Sequence, residues 1–163
     1  MKLYKRMRQL FFTAIVKMQA AEVGRECRVN HFSHVTKRTY LAEHVNFNGM
    51  EIAGKGKVEI GKYFHSGSGC MIITSNHNYE GESIPYDGTH IVKDVKIGDF
   101  VWFGNRVIIL PGVTVGEGAI IQAGAVVTGD IPVCAIAGGN PAAVFKYRDV
   151  QHFERLKEEM KFR

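Results

Sequence analysis

The sequence predicts a mainly β protein, a parallel β-helix with an α-helix at each end, and three observations lead there. From Val95 to Ile131 large apolar residues return at every sixth place, at Ile97, Phe103, Ile109, Val115, Ile121 and Val127. A second series follows each by four places, at Val101, Val107, Val113, Ala119, Ala125 and Ile131. This fits neither the turn of an amphipathic helix nor simple alternation, and a fixed six-residue period is the mark of a hexapeptide parallel β-helix repeat. Glycines fill the gaps: Gly98, Gly104 and Gly116 stand just after the first series, and Gly112, Gly118 and Gly124 stand three places after it, where corners need unusual backbone angles. The total of 18 glycines against 4 prolines suits a solenoid that turns a corner every few residues.

The chain has 163 residues, 45% of them hydrophobic, enough for one domain with a real core. Its net charge of +5 comes without aromatic and basic interleaving or a nucleic-acid motif, so a phosphate-bearing small molecule is the expected anion and nucleic acid is not. Cys27, Cys70 and Cys134 are odd in number, far apart and without a CxxC pair, which indicates neither a disulfide framework nor a zinc knuckle and suits a reducing cytoplasm. The basic, partly apolar start is interrupted by Lys17 and lacks a small-residue cleavage pattern, so it does not read as a signal peptide. No apolar run is long enough to span a membrane.

Residues 1–20 form the first expected element, a helix with Leu3, Met7, Leu10, Phe11, Ala14, Ile15 and Met18 on one face and Lys2, Lys5, Arg6 and Arg8 elsewhere. That stripe is expected to pack on its own solenoid or on a neighbouring subunit; weak association with a membrane surface is the alternative that the basic residues keep open. The solenoid is expected over residues 21–148. Its beat starts at Val23, Val29, Val35, Leu41 and Phe47, with Cys27, Ser33, Thr39 and Val45 as companions. It slips by one residue across GMEIAGKGKVE, which implies a bulged or looped corner, and resumes at Ile60, Ser66 and Ile72. Residues 78–94 carry no beat and are expected to loop out of the rod, where binding groups are usually displayed. The repeat ends after Ile131. A last helix is expected over 149–163, with Asp149 as N-cap, an apolar stripe of Val150, Phe153, Leu156 and Met160, and Lys161 and Arg163 at its end. Both helices would cover open ends of the solenoid.

Three runs, ITSNHNYEGESIPYDG, VKIGDFVWFGNRVIILPGVTVGEGAIIQAGAVVTGDIP and AGGNPAAVFKYR, make the chain resemble the hexapeptide-repeat acyltransferases. Within these it resembles the branch that contains the galactoside, maltose and capsular or O-antigen sugar O-acetyltransferases. The resemblance covers nearly everything from residue 23 to 148. It implies a left-handed β-helix of triangular section, a homotrimer, acetyl-CoA as co-substrate in a groove between subunits, and transfer of acetyl to a sugar hydroxyl in polysaccharide biosynthesis.

His77 is the expected catalytic base. It lies outside the apolar series at the mouth of the excursion, and a sugar hydroxyl, whose pKa is far above neutrality, needs a base as it attacks a thioester. Asn46, in VNFN, matches a family segment whose first asparagine helps hold the acceptor; an amide both donates and accepts, which suits a hydroxyl. Tyr79 and Tyr86, with Glu82 and Asp87, are acceptor-loop candidates by position. Trp102 falls between Val101 and Phe103, so alternation turns it outward as a flat apolar wall. The resemblance assigns Trp102, Gly104, Asn105, Ala123, Thr128 and Lys146 to the CoA groove, with the Asn105 backbone N–H as a donor to the thioester oxyanion. Where the family's GNPAK ending has a lysine this chain has Ala143, so one expected basic group for the CoA phosphates is missing.

Other readings share the fold. An N-acetyltransferase acting on a nucleotide-linked amino sugar, or a xenobiotic acetyltransferase, would use the same cofactor. A zinc enzyme of the γ-carbonic anhydrase type would need a His-x4-His spacing that is missing here, so no metal is expected. A non-catalytic scaffold would have no need of His77, Asn46 or Trp102.

Overall fold

The computed structural model describes residues 2–162. Met1 and Arg163, one of the two basic residues expected to end the last helix, lie outside the described residues, as does the side chain of Lys2. The chain is a left-handed parallel β-helix of three faces between two helices, α1 (Lys2–Gln19) and α2 (Val150–Glu158). The first face stacks β1 (Glu22–Val23), β3 (Thr39–Leu41), β6 (Val58–Ile60), β11 (Val95–Ile97) and β14 (Thr114–Val115). The second stacks β2 (Arg28–Val29), β4 (Asn46–Phe47), β7 (His65–Ser66), β12 (Trp102–Phe103), β15 (Ile120–Ile121) and β17 (Ala135–Gly139), with β18 (Ala142–Tyr147) folded back on β17. The third stacks β5 (Met50–Ala53), β8 (Cys70–Ile73), β13 (Ile108–Ile109) and β16 (Val126–Val127). A separate antiparallel pair, β9 (Ser75–His77) and β10 (His90–Val92), projects from the corner between the third and first faces.

The six-residue beat is realised as one short strand and one corner per hexad. Each strand turns one residue out and the next in, so Trp102 is exposed while Phe103 is buried. The inward residues stack coil on coil into a single apolar core, with Phe64 packed edge-on between Phe47 and Phe103 at ring distances of 6.0 and 5.0 Å. Burying each such side chain contributes about 1.5–3 kcal/mol.

Glycine serves two needs. At Gly104 a Cβ would stand 2.5 Å from the backbone nitrogen of Ala123 in the next coil, so the need is close approach. At Gly118 φ is +69° and a Cβ would meet the Phe153 ring at 2.8 Å. The same corner in earlier coils carries His44, Tyr63 and Phe100, all left-handed, whose rings stack at 4.5 and 5.2 Å. Phe153 of α2 takes the place of the next rung.

The slip after Phe47 is a lengthened corner, Gly54 to Lys57, between β5 and β6. It is held by the Thr74 hydroxyl, which accepts from Gly56 N–H at 3.0 Å and donates to the Ala53 carbonyl at 2.9 Å. The excursion departs from Ser75 rather than residue 78, because its first and last residues pair as strands before the loop begins. After Ile131 the rod continues only through β17, and the chain then reverses into β18, so the end of the expected solenoid is an antiparallel hairpin.

α1 departs from expectation in the face it turns to its own solenoid, and α2 in its length. α2 starts as expected, with Asp149 accepting from His152 N–H at 2.9 Å, but it stops at Glu158. Met160 turns left-handed, and Phe162 folds back onto Tyr63 and Phe100 at 4.6 and 5.0 Å. Phe153 is the buried member of its stripe, while Val150 and Met160 are exposed. In α1 the side against the solenoid carries Gln9, Phe12, Thr13, Val16 and Gln19, and the expected stripe of Leu3, Met7, Leu10, Phe11 and Met18 faces away. The reason lies in hydrogen bonding. The first coil has no coil before it, and those of its amides that point away from the second coil need acceptors. Thr13 Oγ1 accepts from Val29 N–H at 3.0 Å, and Gln19 Oε1 accepts from Val35 N–H at 3.1 Å.

Replacing Thr13→Val keeps the shape and leaves the buried Val29 amide unpaired. We expect a loss of about 1–3 kcal/mol in stability, read from urea denaturation; a variant as stable as the parent would show that this capping bond is dispensable.

Candidate active site

The second face carries a groove of about 830 Å3 whose lining includes His65, Trp102, Gly104, Asn105, Gln122 and Ala123. Stacked outward positions build it: Asn46 lies against His65, His65 against Trp102, Trp102 against Ile120, and Ile120 against Ile136. Trp102 is 50% exposed and gives the groove a flat wall. Gly104 and Ala123 leave room beside it. The Asn105 side chain is committed to structure, since its Oδ1 accepts from Ser68 N–H at 2.9 Å. Asp94, Asp99 and Asp130 make the equivalent bond at other corners, to Lys57, Lys62 and Thr114, each at 2.7 Å. Lys146 sits opposite Ile136 in the terminal hairpin, so it stands exposed at one end of the groove. Thr128 does not join this set: it follows β16 and belongs to the edge between the third and first faces.

His77 stands exposed at the end of β9 on that same edge. Its ring stacks on Tyr86 at 3.8 Å and 15°, and the ring of His90, its register partner on β10, lies 4.7 Å away. Lys55 Nζ reaches His90 Nδ1 at 3.2 Å. An ammonium can only donate, so Nδ1 is the acceptor and neutral His90 carries its proton on Nε2. Lys55 comes from the lengthened corner, so the slip in the beat brings a cation to the foot of the excursion.

Asp87 organises the loop itself. Its carboxylate accepts from the Thr89 hydroxyl, from Thr89 N–H at 2.8 Å and from Glu82 N–H at 3.1 Å. These bonds, the Thr89 hydroxyl first, hold its carboxyl below the usual carboxylate range. Tyr79 is 69% exposed on the same loop and Tyr86 covers one face of His77, so of the two it is Tyr86 that stacks on His77.

Asn46 is on the groove's face but already occupied, because its Oδ1 accepts from Asn30 Nδ2 at 3.0 Å. Asn30 also donates to Asn48 Oδ1 at 2.8 Å and accepts from Gln9 Nε2 of α1 at 2.6 Å. The structure therefore gathers Trp102, Gly104, Asn105 and Ala123 in one groove with Lys146 at its end. His77, Tyr86 and Thr128 lie on the opposite edge of the rod. Sequence reading missed His90, Lys55 and His65. His65 had a signal, since it holds the outward position of its hexad as Trp102 does; His90 had none until its pairing with β9 was known.

The three cysteines are buried free thiols. Burial raises all of them, Cys27 to about 11, so none is a ready nucleophile. His31 lines the second-face groove, whereas His34 lines a separate hollow of about 450 Å3 on the third face. Among the described residues no group of three or more His, Cys, Asp or Glu is placed to hold a metal ion. No helix among them is long and apolar enough to cross a membrane.

Fold and groove define a parallel β-solenoid of hexapeptide repeats with a ligand-sized channel along one outer face. In sequence and architecture the chain resembles hexapeptide-repeat proteins, acetyltransferases among them. The family described as bacterial transferase hexapeptide (six repeats) matches residues 88–129. A chloramphenicol acetyltransferase of Agrobacterium fabrum is 35% identical over 126 residues, covering 67% of this chain and 60% of that protein. The chain spans between 32% and 60% of the length of the first curated relatives it matches. Among solved structures, a hexapeptide-repeat acetyltransferase of Vibrio cholerae superposes with a TM-score of 0.73 at 25% identity, over 85% of this chain and 80% of that one. A galactoside acetyltransferase in complex with coenzyme A gives 0.69 at 25%, over 86% and 72%. A maltose O-acetyltransferase of Clostridium difficile 630 gives 0.63 at 32%, over 78% and 66%.

The lowered carboxyl of Asp87 makes the excursion loop sensitive to acid. A depressed folded-state pKa means that the loop's bonds are complete above the ordinary aspartate value of about 3.9 and are lost as pH falls through the lower folded value. The amide resonances of Glu82 and Thr89 should therefore titrate with a midpoint below that value, and Asp87→Asn should abolish the titration. A midpoint at or above the ordinary value would contradict this account of the loop.

Proposed function

We propose that the protein transfers an acetyl group from acetyl-CoA to a hydroxyl of a sugar acceptor in surface polysaccharide biosynthesis, acting in the cytoplasm as a homotrimer with His77 as general base. The observation that carries this reading is that the groove and the exposed histidine lie on opposite sides of one rod. Each is half of a site, and a second copy supplies the other half: the groove of one subunit faces the excursion edge of its neighbour. The galactoside acetyltransferase with bound coenzyme A and the maltose O-acetyltransferase support the cofactor and the acceptor class.

In this arrangement Trp102 walls the pantetheine arm beside Gly104 and Ala123, Thr128 of the neighbour closes the channel, and Lys146 meets a CoA phosphate as a point charge. His77 takes the acceptor hydroxyl proton as oxygen attacks the thioester carbonyl. The new C–O bond forms, the carbonyl oxygen becomes an oxyanion held by the Asn105 backbone N–H, and the C–S bond then breaks. The proton on His77 passes to the departing thiolate. Tyr86 keeps the imidazole in plane against its face, His90 and Lys55 support it from the adjoining strand and corner, and Tyr79 and Asn46 are left to contact the acceptor. For Asn46 this requires exchanging its bond with Asn30.

A second reading has its own support: the 35% identity to a chloramphenicol acetyltransferase favours a xenobiotic hydroxyl as acceptor. Base and groove would be the same. Thiol release from acetyl-CoA, measured over hydroxyl sugars, amino sugars and chloramphenicol, separates the readings. Transfer to chloramphenicol alone, or to amines alone, would reject sugar O-acetylation.

His77→Ala should lower kcat by about 10²–10⁴-fold while acetyl-CoA still binds in calorimetry; turnover within about tenfold of the parent would remove His77 from the role of base. Trp102→Ala should raise KM for acetyl-CoA more than it lowers kcat. A monomer in a sizing measurement would overturn the shared site.

A further inference from the structure

We propose that the outward face of α1 is a docking surface for an anionic lipid membrane. The proposal does not depend on the proposed reaction. The helix is two-sided. Gln9, Thr13, Val16 and Gln19 face the solenoid, while Leu3, Met7, Leu10, Phe11 and Met18, stepping by three and four along the opposite side, are each 61–76% exposed. A contiguous apolar stripe of this size on a helix already anchored by its other side calls for a partner.

Charge identifies the partner. The chain has 21 basic and 16 acidic residues, and five of the basic ones, Lys2, Lys5, Arg6, Arg8 and Lys17, lie in α1, which has no acidic residue. Outside α1 the two signs therefore balance, and the whole excess of +5 is concentrated in this helix. Lys5, Arg6, Arg8 and Lys17 take part in no ion pair among the described residues. On the helical wheel Arg6 and Lys17 border the apolar stripe on one side and Arg8 on the other, while Lys5 falls on the side of Gln9 and Val16. Long basic side chains at the margins of an apolar face can reach phosphate headgroups while the stripe enters the acyl boundary. A second copy of the same helix would bring like charges together, whereas an anionic bilayer neutralises them, and each basic residue near such a surface raises partitioning by roughly fivefold. At 18 residues, or roughly 27 Å, the helix lies along the surface without crossing it.

The test is cosedimentation of the full chain with vesicles of phosphatidylcholine alone and of phosphatidylcholine mixed with phosphatidylglycerol. Partitioning into the anionic vesicles should be at least about tenfold stronger, should weaken as salt is raised, and should be lost in Leu10→Gln/Phe11→Gln. Both of those side chains are exposed, so the double variant should keep the parent's circular dichroism. Arg6→Gln/Lys17→Gln should reduce both the binding and its salt dependence. Equal partitioning into the two vesicle types, or undiminished binding by Leu10→Gln/Phe11→Gln, overturns the proposal. A smaller oligomer for that variant than for the parent also overturns it, since the face would then be a subunit contact.

Discussion

Each coil of this rod hydrogen-bonds its backbone through the coils on either side of it, and most of what the chain does follows from that constraint. Asn46 N–H donates to the Phe64 carbonyl at 2.8 Å, Trp102 N–H to Ala119 at 3.0 Å, and Gly104 N–H to Ile121 at 2.8 Å. Coils stacked this closely put like positions on top of one another. The apolar series becomes a continuous core, corners become ladders of left-handed residues, and glycine is required wherever the next coil's backbone comes within Cβ distance.

The constraint fails at the two ends, and there the structure spends its side chains. At the start, Thr13 and Gln19 of α1 act as carbonyls for a coil that does not exist. At the far end, β18 folds back onto β17 and Phe153 completes the aromatic corner left open at Gly118. The same rule creates the groove, since stacked outward positions place His65, Trp102 and Ile120 in one line and small residues beside them leave a channel.

The departures from the beat bring titratable side chains together. The lengthened corner at Gly54–Gly56 sets Lys55 beside His90, and the excursion that leaves from the neighbouring corner sets His90 against His77 and Tyr86 over it. Two irregularities far apart in sequence thus meet at one edge of the rod. The groove is on the other side, so a trimer would join unlike surfaces of adjacent copies rather than repeat one.

How much of this could be read from residue order depends on whether the cause was local. The period of six, the glycines at 104 and 118, the outward turn of Trp102 and the start of α2 at Asp149 are set by steric and hydrogen-bonding needs of a few adjacent residues, and they were legible. Trp102, Gly104, Asn105 and Ala123, which only the family resemblance grouped beforehand, line one groove because stacking converts a repeat position into a place on a face. The partnership of His77 with His90, the capture of Asn46 by Asn30 and the place of Thr128 on the opposite edge depend on pairings that the period does not encode. The apolar stripe of α1 was visible, but not its direction. That was decided by the unpaired amides of Val29 and Val35, which draw the helix's polar Thr13 and Gln19 inward and leave its apolar residues outside. Local geometry written into adjacent residues makes the rod and its rungs; what faces what is settled by long-range closure, because it depends on which buried hydrogen-bonding groups lack a partner until the chain has closed on itself.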